Sequence, residues 1–300
     1  MTSLNRYVAD LHIHIGRTWS NAAVKITAAS SLTLENIIYY AEHIKGIDVI
    51  GIIDCHVSEI LDQIDEQLMN GEAYEREGGG IQYSKVTLFL GTELEIYDHN
   101  CKGPIHVLAY LPTVKKMRLF SEWLKMRMKN ATLSSQRIYE TATVIQEKVH
   151  ELSGLFIPAH IFTPFKSMYG KGVIQSLSEV FHPDLIDAVE LGLSSDTRMA
   201  EQVEELQSYP FLTNSDAHSL EKMAREYQII RMNEPSFEEW RLALKGRDGR
   251  KIVTNYGLDL YLGNTTKRFV HSAHNRCQEL NVFIVIVLPL LKEFLSVLRN

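Results

Sequence analysis

Eight short apolar runs, separated by amphipathic or polar stretches, constrain the fold of this chain more than any other feature. They are "YVADLHIHI" at 7–15, "DVIGIID" at 48–54, "VTLFLGTELEI" at 86–96, "GPIHVLAYL" at 103–111, "LFIPAHIF" at 155–162, "AVELGL" at 188–193, "PFLTNSDAH" at 210–218 and "YQIIRM" at 227–232. Their length and β-branched content read as strands. Between them lie helical periods. One is "SLTLENIIYYAEHIKG", opened by Ser/Thr capping residues and closed by Gly46; the others are 114–129, 134–154, 197–209 and 236–246. Strands alternating with helices predict an α/β fold with a parallel sheet, closed or nearly closed into a barrel. With 300 residues the chain can bury a large core, and it carries no internal repeat and no long linker.

The polar residues fall at the ends of these strands. His12 and His14 are separated by one isoleucine, so on a strand they project from one face. Burying two imidazoles side by side is costly unless something satisfies both, and a metal ion is the usual partner. The second strand ends in Asp54 and His56, the third carries Glu93, the fourth His106, the fifth His160 and the seventh Asp216 and His218. A single strand-end histidine is more often a core or surface residue than a ligand. The joint pattern is what points to a site, because the carboxyl ends of parallel barrel strands open on one face. These nine groups, with no thiolate among them, suit two or three divalent ions such as Zn²⁺, Mn²⁺ or Fe²⁺. Cys55 is expected to point into the core. Glu95 is read either as facing away from Glu93 or as sharing partial exposure with it. His43, His99, His150 and His182 read as surface residues.

The formal net charge of −6 excludes a protein that grips nucleic acid over its whole surface, while leaving room for a local basic groove. Lys115, Lys116, Arg118, Lys125, Arg127 and Lys129 supply a candidate, although a solvated helix face is the commoner meaning of such a run. Three cysteines (Cys55, Cys101, Cys277) make no disulfide framework, and "MTSLNRYVAD" lacks the pattern of a signal peptide. A cytoplasmic location is expected. The apolar run at 282–290, interrupted by Pro289, is too short for a membrane span.

"DLHIH", "GTE", the histidine of "HVLAY", "PAH" and "SDAH" together resemble the ordered motifs of the PHP (polymerase and histidinol phosphatase) superfamily, over roughly residues 7–262. The resemblance implies a distorted (β/α)₇ TIM-like barrel with a multinuclear metal site that hydrolyses phosphoesters. On it His12, His14, Glu93, His106, His160, Asp216 and His218 match ligand positions. The superfamily's second motif has Asp followed directly by His. Here it reads Asp54-Cys55-His56, so either Asp54 or His56 is the ligand. "GRTWS", "HIFTPFKSMYG", "ELGLSSDTRMA" and "NSDAHSL" are similar to the endonuclease Q-like branch. That branch nicks DNA beside deaminated bases or abasic sites, and its barrel is followed by a cysteine zinc module and a further C-terminal region. The resemblance thus implies damaged DNA as partner, with Glu93, Asp216 and His218 in catalytic roles. A histidinol-phosphatase-type phosphatase and an inactive metal-binding regulatory barrel are the competing readings.

Residues 1–262 are expected to form the hydrolase barrel and 263–300 an atypical tail. If the last base of the Asn264 codon opens a new frame, permitted codons read "YHKTFCSQCTQPLPRTECVYC", two Cys-x-x-Cys pairs with zinc-ribbon spacing. On this reading residues 265–300 are a frameshifted remnant of a zinc module.

Overall fold

A computed structural model describes residues 4–258, so the tail 263–300 and its zinc-module reading lie outside the described residues. Secondary structure begins with β1 (Asn5–Ile13), α1 (Leu34–Tyr40), β2 (Val49–Ile52), α2 (Ser58–Met69), β3 (Ala73–Glu75), β4 (Ile81–Tyr83), β5 (Val86–Ile96) and β6 (Ile105–Leu111). It continues with α3 (Val114–Lys125), β7 (Arg137–Ile138), α4 (Ala142–Glu151), β8 (Leu155–Pro158) and β9 (Val189–Glu190). The last elements are α5 (Thr197–Ala200), β10 (Phe211–Leu212), β11 (Tyr227–Met232), α6 (Phe237–Leu244) and β12 (Lys251–Tyr256). No helix among the described residues is long and apolar enough to cross a membrane.

Local chemistry sets most helix starts. The side chains of Thr33, Thr113, Thr141 and Ser236 accept from backbone N–H groups in the first turns of α1, α3, α4 and α6. Gly46 ends the π-helical turn after α1 at φ 66°, a conformation that suits glycine. The preceding residue of α2, Val57, provides no such cap. That helix carries no sequence start signal and was not expected.

Ten strands form one mixed sheet with the path β12-β11-β1-β2-β5-β4-β3, and β6, β7 and β8 join it beside β5. β1, β2 and β5 run parallel to one another, whereas β6 is antiparallel to β5 and β8, and β11 is antiparallel to β1 and β12. The α/β class holds, but the all-parallel sheet does not: hydrophobic periodicity identifies a strand without fixing its direction. β9 and β10 form a separate parallel pair. Backbone bonds tie this pair to the rest, from Asp187 N to Phe156 O (3.0 Å), Ile161 N to Glu190 O (2.9 Å) and Ala217 N to His12 O (3.1 Å). The ladders themselves do not close into a ring. The expected helix 134–154 is also divided, because Ser135 takes a left-handed φ of 54° and β7 pairs with β5 before Thr141 starts α4.

β1 explains why a site forms here. Ala9, Leu11 and Ile13 pack into the core, while Asp10, His12 and His14 are fully buried on the alternate face. A strand with one buried polar face must find partners for it.

Candidate metal centre

The partners come from the far end of the fold and from the neighbouring strands. Ligand atoms of His12, His14 and Asp216 lie within 4.8 Å of one another, and so do those of Glu93, His106 and His160. Glu93 stands between the two groups. Its Oε1 is 2.8 Å from His106 Nδ1, 3.4 Å from His160 Nε2 and 3.6 Å from His12 Nε2, and its Oε2 is 3.7 Å from His14 Nε2. Asp216 Oδ1 is 3.4 Å from the Nε2 atoms of both His12 and His14.

The inward atoms are the ones left without partners. Nε2 of His12, His14 and His106 and Oδ1 of Asp54 are buried with no hydrogen-bond partner among the described residues. The opposite nitrogens are anchored: His12 Nδ1 to Glu190 Oε1 (3.0 Å), His14 Nδ1 to Asp54 Oδ2 (3.2 Å) and His160 Nδ1 to Thr163 Oγ1 (3.1 Å). Carboxylate-backed imidazoles with free Nε2 atoms are how proteins present histidine to a metal. The imidazole and carboxylate donor set fits divalent ions.

Asp54 and His56 part company. Asp54 lies against His14 and accepts from Ile15 N at 2.7 Å, with one oxygen to spare. His56 spends both nitrogens elsewhere, with Nδ1 2.7 Å from Thr92 Oγ1 and Nε2 3.2 Å from Leu133 O. His218 sits at the rim, its ring 4.6 Å from that of His14 and its Nδ1 3.0 Å from Asp216 O. Cys55 is buried in the core, as expected. Glu95 does not face away from Glu93: it reaches His106 Nε2 at 3.8 Å on the same side, as period 2 requires, and remains partly exposed. His43, His99 and His182 are exposed, whereas His150 is half-buried against Leu185 O and Asp187.

Several residues not singled out from sequence complete the site. Glu190, nearly fully buried on β9, binds His12, the backbone N of His160 (3.0 Å) and Asn214 Nδ2 (2.8 Å). Lys25 reaches in from the loop after β1, with Nζ 3.3 Å from Glu93 Oε2 and 2.6 Å from Ser135 Oγ. Ser135 Oγ also donates to Glu93, and Ser134 Oγ lies 3.1 Å from His14 Nδ1. The available signal for Glu190 was a carboxylate inside an otherwise apolar run.

Burial alone would push every imidazole here down. For His12 the carboxylates of Glu190, Asp216 and Glu93 outweigh it and hold the pKa up at about 10. His14 and His106 are raised for the same reason, by Asp54 and by Glu93. Burial likewise opposes ionisation of Glu93, yet His106 and Lys25 bring it well below the usual carboxylate range. His56, with burial dominant, is lowered. The centre is thus a pocket of ionised carboxylates made for positive charge. Its backbone is held in uncommon conformations, with φ of 32° at His160 and 46° at Asp216. Gly192 lets the chain pass close to His160, since a Cβ there would lie 2.5 Å from that residue's own Cβ.

The protein YqxK of Bacillus subtilis strain 168 is 56% identical over 276 residues, a match covering 92% of this chain and 70% of that protein. The chain belongs to the YqxK family. No family model matches it. Among solved structures, the lesion-specific endonuclease PfuEndoQ from Pyrococcus furiosus superposes with a TM-score of 0.73 at 31% identity, covering 86% of this chain and 60% of that one. Endonuclease Q in complex with a 27-mer duplex carrying an abasic lesion gives the same score and identity, with 61% of that chain covered. The chain therefore spans about 60% of the length of these endonucleases. A two-domain protein from Bacteroides vulgatus, containing a predicted PHP-like metal-dependent phosphoesterase, shares the fold at a TM-score of 0.51 and 13% identity, covering 85% of this chain and 65% of that one.

Proposed function

We propose that this protein is a metal-dependent phosphoesterase, and specifically a DNA endonuclease that nicks beside deaminated bases or abasic sites. The observation that carries the first part is Glu93, a buried carboxylate placed between two His/carboxylate clusters, with the Nε2 atoms of His12 and His14 buried beside it and without hydrogen-bond partners. The likeness to endonuclease Q, including a complex with an abasic duplex, supports the second part.

Two or three divalent ions held by His12, His14, Glu93, His106, His160 and Asp216, with Asp54 behind His14, would supply hydroxide at neutral pH and offset charge developing on the phosphate. The chain's own groups do the remainder. Asp216, about one-third exposed, faces the opening and orients the attacking water. His218, at the rim, hands a proton to the leaving oxygen; burial lowers its pKa, and the neighbouring His14 lowers it further. Lys25 places a fixed ammonium beside Glu93 and adds to the positive field that receives a phosphodiester.

The test uses end-labelled duplexes with a single uracil, hypoxanthine or abasic site, an unmodified duplex, and p-nitrophenyl phosphate, with Mn²⁺ or Zn²⁺. Cleavage at the lesion, lost in His12→Ala, is expected. Hydrolysis of the small ester with intact DNA would make the protein a phosphatase, and metal binding without turnover of either would make it a regulatory barrel. The zinc-module reading of residues 265–300 is tested separately by resequencing codons 255–300: a verified frame, shared by relatives, would end it.

A further inference from the structure

Three of the six basic residues expected on and after α3 turn out to be neutralised. Arg118 pairs with Asp62 (2.8 Å) and Asp65, Lys125 with Glu122, and Arg127 with Glu140 (3.0 Å), while Lys116 binds Ser153. That helix face is a solvated surface. Lys129, the last of that run, and the cations on the chain that leaves the metal centre are arranged otherwise.

Ser135 donates to Glu93, and two residues later Arg137 enters β7 opposite Glu95. The Arg137 guanidinium lies over two tyrosine rings, 4.9 Å from Tyr97 and 5.2 Å from Tyr139, and Lys129 Nζ lies 5.6 Å from the Tyr139 ring. Tyr97 and Tyr139 are 39% and 49% exposed, and neither Arg137 nor Lys129 forms an ion pair among the described residues. Lys129 and Tyr139 also line a cleft of about 630 Å³ with residues 126–128 and Glu140. Five residues beyond His160, Phe165 is 69% exposed and carries Lys171 Nζ 5.3 Å from its ring, and its neighbour Lys166 pairs at 2.9 Å with Glu95, the residue opposite Arg137.

Single exposed aromatics are ordinary, and a cation over a ring is common surface packing. Three exposed rings, each with a cation over it, on three segments that meet around Glu95 beside one carboxylate-rich centre are a different matter. A cation paired with an aromatic face offers what an unpaired nucleic-acid strand needs: a platform for a base and a contact for the adjoining phosphate. The net charge of −6 leaves such local strips as the places where a polyanion can approach.

We propose that Tyr97, Arg137, Tyr139 and Lys129, together with Phe165 and Lys171, form one strip beside the metal centre that holds the unpaired DNA strand leading into it, with bases stacked on the rings and phosphates on the cations. The inference rests on the endonuclease reading and adds the path of the strand.

The experiment uses the full chain with Mn²⁺ and a fluorescein-labelled single-stranded oligonucleotide, read by anisotropy over a series of salt concentrations. In parallel it measures nicking of the abasic duplex and hydrolysis of bis(p-nitrophenyl) phosphate. Tyr97→Ala/Tyr139→Ala is expected to weaken oligonucleotide binding about 10- to 100-fold, the scale of lost base stacking. Lys129→Ala/Arg137→Ala should reduce the slope of log K against log salt by about 1.4, two single-strand phosphate contacts. Both variants should hydrolyse the small ester within about twofold of wild type, which also reports that they fold. If wild type binds and nicks DNA while both variants match it in affinity and salt slope, the strip is overturned and the endonuclease reading stands. If wild type hydrolyses the small ester but neither binds nor nicks DNA, both are overturned.

Discussion

The two ligand triads use the same residue types but are held in different ways. His12 near the end of β1 and His14 just past it sit two apart, and each has a buried carboxylate behind its ring, Glu190 or Asp54. His106, His160 and Glu93 come from separate segments, β6, the turn after β8, and β5. There His160 leans on a neutral hydroxyl, and His106 leans on Glu93 itself. The first triad is oriented by its surroundings, whereas the second depends on a ligand it shares with the first. Orientation by charged partners and orientation by a shared ligand should fail differently when perturbed.

The largest effect is expected at the shared residue. Glu93→Gln should lower turnover by about three orders of magnitude, the upper end of what one electrostatic group contributes. It should also reduce metal binding at both triads; loss at the second alone would break the account of Glu93 as the link. Next comes metal itself. At a free Mn²⁺ concentration 100 times Kd, ligand-linked stabilisation should reach about 2.7 kcal/mol, read as a rise in melting temperature that chelator reverses. An unchanged melting temperature would show that the clustered carboxylates hold no ion.

Glu190→Gln sharpens the contrast. Losing the charge behind His12 should cost about 10- to 100-fold in metal affinity, while Thr163→Ala behind His160 should cost less than tenfold. Equal losses would mean that backing charge does not distinguish the triads.

The remaining effect lies outside both. Glu226 is buried, with Oε2 unpartnered and Oε1 accepting from Leu258 N at 2.9 Å, and burial raises its pKa to about 7. A carboxyl raised above its unfolded value binds its proton more tightly when folded, so its penalty is absent below about pH 4, grows between about 4.5 and 7 and is level above that. Glu226→Gln should therefore leave stability unchanged near pH 4 and raise it by about 3 kcal/mol at pH 8.5, as denaturant unfolding would measure. Stabilisation at pH 4 alone would contradict this.

What the sequence disclosed follows from what its physics encodes. The β5 run 86–96 and the β11 run 227–232 were legible to the residue, since β-branched composition marks a buried strand. His12 and His14 were legible because a period of two needs no tertiary knowledge. Strand direction is not written in periodicity, so β6 and β11 came out antiparallel, and β12 was not expected as a strand at all. The position of Glu95, left open between facing away from Glu93 and sharing partial exposure with it, could have been decided by the same period of two. α2 was hidden by its missing cap. Glu190 and Lys25 were hidden because their roles depend on residues more than sixty positions away: Lys25 meets Glu93, and Glu190 meets His12. Asp54 and His56 are two apart, and only the positions of Thr92 and Leu133 show which of them is engaged elsewhere.

The most direct test of the centre is anomalous diffraction from crystals of the protein soaked in Mn²⁺. The account predicts strong peaks within coordination distance of both triads, at least one of them touching Glu93, and loss of the peak at the first triad in His12→Ala. Crystals that take up Mn²⁺ only on surface carboxylates, with the Nε2 atoms of His12 and His14 unligated, would contradict it.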